Sequence, residues 1–200
     1  IAFTYVVNRR LPRISPAGFR QATPMPGSTL GSMPCPGCSR VCKRNPVMTI
    51  DARLAELGIV LPEPAAPVAA YVPVVIAGGL AHVSGQVSIV GGQLLKGRLG
   101  EDLTLEQGVE GARACGLMIL AQLKAALGSL DRVERIVKLG AFINSAADFT
   151  DQPKVANGAS ELMVEVFGDA GKHARSAVGV PSLPLGVAVE VDAIVAVRPA

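Results

Sequence analysis

The chain has 200 residues, 50% of them hydrophobic and 4% aromatic, with a formal net charge of +3. Its positive mean hydropathy of +0.41 does not signal a membrane helix, because no apolar run of about eighteen residues is free of Gly, Pro or charge. Nor does the basic balance signal nucleic-acid binding: residues 1–47 hold seven Arg or Lys and no acid, while the remainder holds twelve basic and sixteen acidic residues.

That leader carries Arg9, Arg10, Arg13, Arg20, Arg40, Lys43 and Arg44 among many Pro and Gly residues between Pro12 and Pro46. Such composition argues against a packed fold, so disorder is expected there, or order only through contact with the core. An acid-free, Arg-containing start fits an organellar transit peptide. The stronger expectation is that it is sequence upstream of a start at Met48. Cys35, Cys38 and Cys42 form a CxxC with a third thiol, one ligand short of a structural zinc site, and neither His82 nor His173 is close in sequence. No metal site and no disulfide framework are expected. A reducing, cytoplasmic setting follows, or an organellar one if the leader is a transit peptide.

Residues 48–200 read as one domain. Thr49 is placed to cap a short helix over Ile50–Leu57, and Leu61–Pro67 is a Pro- and Ala-rich connection. Tyr71–Ala77 and Leu80–Val90 read as strands, with Gly78-Gly79 and Gly91-Gly92 as turns. Thr104, with Gln107 three residues on, predicts a capping box opening a helix over Leu105–Leu127, closed by Gly128. Cys115 in its middle reads as a buried small hydrophobe. A strand follows over Ile136–Ile143, then a second long helix over Pro153–Phe167, stopped by Gly168. Ser176–Val180 and Val187–Val197 complete the order ββαβαββ. Two helices in this rhythm predict an α+β fold, a two-layer sandwich with both long helices on one face of a mixed sheet.

The last two strands hold the residues that need explaining. Along Val187–Val197, Glu190, Asp192 and Ile194 share one face and Val189, Val191, Ala193 and Val195 the other. Arg175 stands at the head of the preceding strand. On periodicity alone the bland reading is a solvated sheet face, with Arg175 an ordinary cross-strand partner for an acid.

Several strings in order bear on that choice: Ala70-Tyr71-Val72, Val83-Ser84-Gly85-Gln86, Asp148-Phe149 followed by Asn157 opening a helix, Ala174-Arg175-Ser176, and Val189-Glu190-Val191. Together they resemble the RidA/YjgF family, the reactive enamine/imine deaminases also called endoribonuclease L-PSP, over about residues 65–198. The helix at Thr49–Leu57 and the string Asn157-Gly158-Ala159-Ser160 are similar to a divergent branch of that family. The resemblance implies a chorismate-mutase-like fold whose subunits close into a trimeric barrel, with clefts between neighbours and the helix-free strand face buried by assembly.

It also implies the chemistry: a hydrolase that converts enamines or imines of the 2-aminoacrylate type to 2-keto acids and ammonia, without metal or organic cofactor, protecting against metabolite damage. By resemblance Arg175 holds the substrate carboxylate, Glu190 orients or activates water, Tyr71 closes the pocket from a neighbouring subunit, and Ser84 and Gly85 shape its floor. Asn157 is expected as a helix cap or interface residue, and His173 as a surface or backbone-bonded histidine. Two departures alter the pocket: Ala177 stands where a cysteine is common in the family, and Ala69-Ala70 where Gly-Pro is common. A non-catalytic trimer that binds a small carboxylate as a sensor or regulator is the alternative. A ribonuclease would need a basic groove that the acidic core does not offer. Chorismate mutase chemistry would need several converging cations, where the motif supplies one.

Overall fold

The computed structural model describes residues 48–64 and 70–199. The expected leader, its cysteines Cys35, Cys38 and Cys42, and Ala69 lie outside the described residues.

Thr49 caps α1 (Ile50–Glu56), its Oγ1 accepting from the Ala52 N–H at 3.2 Å. Strands β1 (Val74–Ala77) and β2 (Leu80–Val87) form a hairpin on Gly78-Gly79, both at positive φ. The first strand starts later than the sequence predicts. Pro73 has no N–H to give a ladder, and the Val72 and Pro73 carbonyls are both taken by Ser84. The predicted strand Leu80–Val90 is likewise broken at Ser88. The Ser88 N–H donates to the Val189 carbonyl while its own carbonyl accepts from Leu95 N–H, both at 2.9 Å. That corner leads into a separate small hairpin, β3 (Ile89–Val90) with β4 (Gln93–Leu94).

Helix α2 (Leu105–Leu127) has both predicted ends: Thr104 and Gln107 complete the capping box, and Gly128 closes the helix at φ 79°. Cys115 is fully buried, its Sγ 3.5 Å from the Val189 carbonyl, and burial pushes its thiol well above the usual range. Strand β5 (Val133–Asn144), helix α3 (Gln152–Phe167), strand β6 (Ala174–Val180) and strand β7 (Val189–Val197) follow.

The main sheet has the order β1-β2-β7-β5-β6, antiparallel except for the parallel pair β5/β6 that α3 connects. Helices α2 and α3 pack on one another and on the sheet, which gives the predicted two-layer sandwich of α+β type. The alternation along β7 sets its two faces. Val189, Val191, Ala193, Val195 and Val197 join the core beneath the helices, and Glu190, Asp192 and Ile194 are half-buried on the other side. That second face also carries Phe142, His82 and the exposed Val75 and Val178. No helix long and apolar enough to cross a membrane occurs among the described residues.

Small residues let the two long helices approach closely. A Cβ on Gly116 of α2 would meet Leu162 at 2.9 Å and Ala159 at 3.5 Å, and one on Gly158 of α3 would collide with the Val109 backbone. The string Asn157-Gly158-Ala159-Ser160 therefore has two sides. Gly158 and Ala159 are buried at the crossing with α2, whereas Asn157 and Ser160 turn toward β6.

Candidate functional site

The residues singled out in the sequence fall into two separate groups. The first is built on β2 and β7. The β2/β7 register shifts between Val83 and Gln86, a bulge that contains Ser84 and Gly85. Glu190 of β7 lies against Gly85, in space that any side chain at 85 would occupy. Burial pushes the Glu190 carboxyl above its ordinary value, and the neighbouring Asp192 adds to the rise. Asp192 accepts the Gly140 N–H at 2.9 Å. Ser84 ties down the segment preceding β1, its Oγ donating to the Val72 carbonyl at 3.0 Å and its N–H to Pro73 at 2.9 Å. Tyr71, next to Val72, is half exposed.

The second group is built on β6 and α3. Arg175 pairs in register with Leu139, and Ala177 with Ala141, both core residues, so Arg175 leaves the edge strand on the helix-covered side. Its Nη1 donates to Asn157 Oδ1 at 2.8 Å and to Ser160 Oγ at 2.9 Å, and its Nη2 to the Pro153 carbonyl at 3.1 Å. These three acceptors recur at intervals of four and three residues along one face of α3. His173 closes the group, with Nε2 3.0 Å from Ser160 Oγ and Nδ1 2.6 Å from the Gly171 carbonyl. Burial holds the imidazole below its ordinary pKa, and the Arg175 charge lowers it further against the opposing pull of the Gly171 carbonyl.

Two expectations change on this geometry. Arg175 is not a cross-strand partner for an acid: its partners are neutral acceptors on a helix, and no Asp or Glu among the described residues forms an ion pair with it. Asn157 is not a cap. The helix opens at Gln152 with Asp151 as N-cap, and Asn157 sits more than a turn inside, where only its side chain is free to bond. Ala177 is partly buried against the core on the helix side of β6.

Within one chain the two groups do not meet. Strands β7 and β5 stand between β2 and β6, which puts Arg175 about 14 Å from the Ser84–Gly85 bulge in the sheet plane. Glu190 is two strands from Arg175 and on the opposite face. The contribution of Ser160 was not singled out from sequence, although its spacing from Pro153 and Asn157 on a predicted helix was a usable signal. Among the described residues no cluster of three or more His, Cys, Asp or Glu side chains is arranged to hold a metal ion.

A family model described as "YjgF/chorismate mutase-like, putative endoribonuclease" matches residues 51–195. The protein TCP17 of Trypanosoma cruzi is 54% identical over 149 residues, spanning 73% of this chain and 92% of that protein. The crystal structure of Atu1372 from Agrobacterium tumefaciens, a protein of unknown function, is 44% identical with a TM-score of 0.69, covering 74% of this chain and 92% of that one. A structure from Shewanella oneidensis MR-1, titled "putative endoribonuclease", is 36% identical with a TM-score of 0.72, covering 74% and 99%.

Proposed function

The chain belongs to the YjgF/chorismate mutase-like family, and from that premise we propose that it hydrolyses reactive enamine or imine intermediates of the 2-aminoacrylate type to 2-keto acids and ammonia. The observation that carries this reading is Arg175. A half-buried guanidinium held by three neutral acceptors, with no carboxylate paired to it among the described residues, keeps its charge and two of its five N–H groups for an incoming anion. A planar fork suits the carboxylate of a 2-imino acid better than a point charge does.

In the proposed reaction the imine form of 2-aminoacrylate takes up one water. Glu190 accepts a proton as the water oxygen bonds to the imine carbon, and the C–N bond then breaks as nitrogen leaves protonated. Pyruvate and ammonia remain. A carboxylate whose basicity is raised by burial is suited to this proton transfer. The imine carbon is electrophilic by itself, so the chain's task is to fix the carboxylate, place the water and move the proton.

Because Arg175 stands on the edge strand β6 and Glu190 on the central strand β7, on opposite faces of one sheet, the proposal requires a second copy. In a closed homotrimer the β6 edge of one subunit meets the Tyr71, Ser84, Gly85 and Glu190 group of the next, and the apolar strand face with Phe142, Val178 and Ile194 is buried.

The test generates 2-aminoacrylate in solution with a serine dehydratase and follows pyruvate. Added protein should speed its appearance well above the spontaneous rate; an unchanged rate at micromolar protein would sink the proposal. Glu190→Gln should remove this acceleration while 2-oxobutanoate still binds. Binding by the parent protein with no turnover would favour a carboxylate-binding regulator instead.

The same substitution has a stability signature. Since folding raises the Glu190 pKa, the folded chain binds that proton more tightly than the unfolded one, and the charged form costs stability above the native pKa. The cost is relieved as pH falls through the native pKa. Glu190→Gln should therefore raise Tm at pH 8, with the gain shrinking at acid pH, as read by thermal melts across that range.

A further inference from the structure

The Arg175 side chain is held by more than its direct partners. Both Nη1–H groups are used, one by Asn157 and one by Ser160. Ser160 is a demanding partner, because a hydroxyl rotates and a serine within a helix is drawn to bond the carbonyl one turn back. Its lone pair faces Nη1 reliably only if something else takes its proton.

His173 is that acceptor. Nδ1 lies 2.6 Å from the Gly171 carbonyl, and against a carbonyl it can only be a donor. The tautomer is thereby fixed with the proton on Nδ1, and Nε2, 3.0 Å from Ser160 Oγ, presents a lone pair. Ser160 donates to it and accepts from Arg175. The lowered basicity of the imidazole keeps this arrangement intact at neutral pH. The base of the chain is rigid too: a Cβ on Gly171 would collide with the Met163 backbone, so Gly171 is seated directly on α3 and its carbonyl position is set by the helix.

We propose that Ser160 and His173 are positioning residues for substrate, acting through Arg175: the sequence Gly171 carbonyl, His173, Ser160, Nη1 fixes the guanidinium so that Nε–H and one Nη2–H remain presented to the carboxylate. This rests on Arg175 being the carboxylate-holding group. Ser160→Ala and His173→Ala act on affinity, since the carboxylate is held alike before and during water attack.

The experiment measures KM and kcat on the imine substrate, and calorimetric affinity for 2-oxobutanoate, in Ser160→Ala, His173→Ala and His173→Gln. The two alanine variants should raise KM and weaken 2-oxobutanoate binding by about tenfold each, with kcat changed far less. His173→Gln, whose Oε1 can still accept from Ser160, should recover most of the loss, which a mere packing role would not allow. Unchanged KM and affinity in both alanine variants would overturn the inference, as would equal loss in His173→Gln. If the parent protein binds 2-oxobutanoate without turning over imine, the deaminase reading fails and the binding arm decides the inference alone. If the parent does not bind it, the inference falls as well.

Discussion

Arg175→Ala should lower the rate of 2-aminoacrylate hydrolysis by roughly 100-fold or more, because a charge-assisted, two-pronged grip on a carboxylate contributes at least about twice the 1.36 kcal/mol that corresponds to each factor of ten. Arg175→Lys should fare little better. An ammonium keeps the charge but cannot reach the Asn157, Ser160 and Pro153 acceptors and still present two parallel donors. A fold effect must be separated from this loss, since the side chain also ties β6 to α3, and circular dichroism with a melt of each variant does so.

The stronger form of the test uses the division of the site. If Arg175 acts from one subunit and Glu190 from its neighbour, Arg175→Ala and Glu190→Gln chains are each inactive alone, yet a mixed trimer contains an interface with both groups intact. Random co-assembly of equal amounts should restore about one quarter of the parent activity, the chance that an intact arginine faces an intact glutamate around a ring. A mixture as inactive as its components would place both groups in one chain's site, contrary to their positions on opposite faces of the sheet.

What the sequence revealed and what it hid follow from the range of the interactions. Helix ends depend on neighbours three or four residues away, so Thr104, Gln107 and Gly128 mark α2 correctly. The two faces of β7 depend on a period of two, and the half-buried Glu190 and Asp192 follow from it. The break at Ser88 was hidden because it is caused by Val189, about a hundred residues away. The partners of Arg175 were hidden for a related reason. Nothing in the spacing of β6 says that α3 turns Asn157 and Ser160 toward it, and an arginine beside acids invites an ion-pair reading. The separation of the two site groups was hidden by strand order, since β7, last in the chain, inserts between β2 and β5.

Gly158→Ala should destabilise the protein by about 2 kcal/mol or more, although alanine is favoured over glycine inside a helix by roughly 1 kcal/mol. On an exposed helix face the propensity term would win. Here the added Cβ falls on the backbone of α2, colliding with the Val109 carbonyl and standing 3.1 Å from Arg113 N. Neither is the end of a flexible side chain, so no rotamer change relieves the contact and the helices must separate. Separation also exposes part of the core that Ala159 and Leu162 close against α2. It moves Asn157 and Ser160 as well, because they flank Gly158 on the same turns and hold Arg175 from there. Urea unfolding should show a lower midpoint with an unchanged slope, and surviving protein should bind 2-oxobutanoate more weakly. A midpoint equal to or above that of the parent would mean that the helices do not approach this closely, and the route from helix packing to the arginine would have to be abandoned.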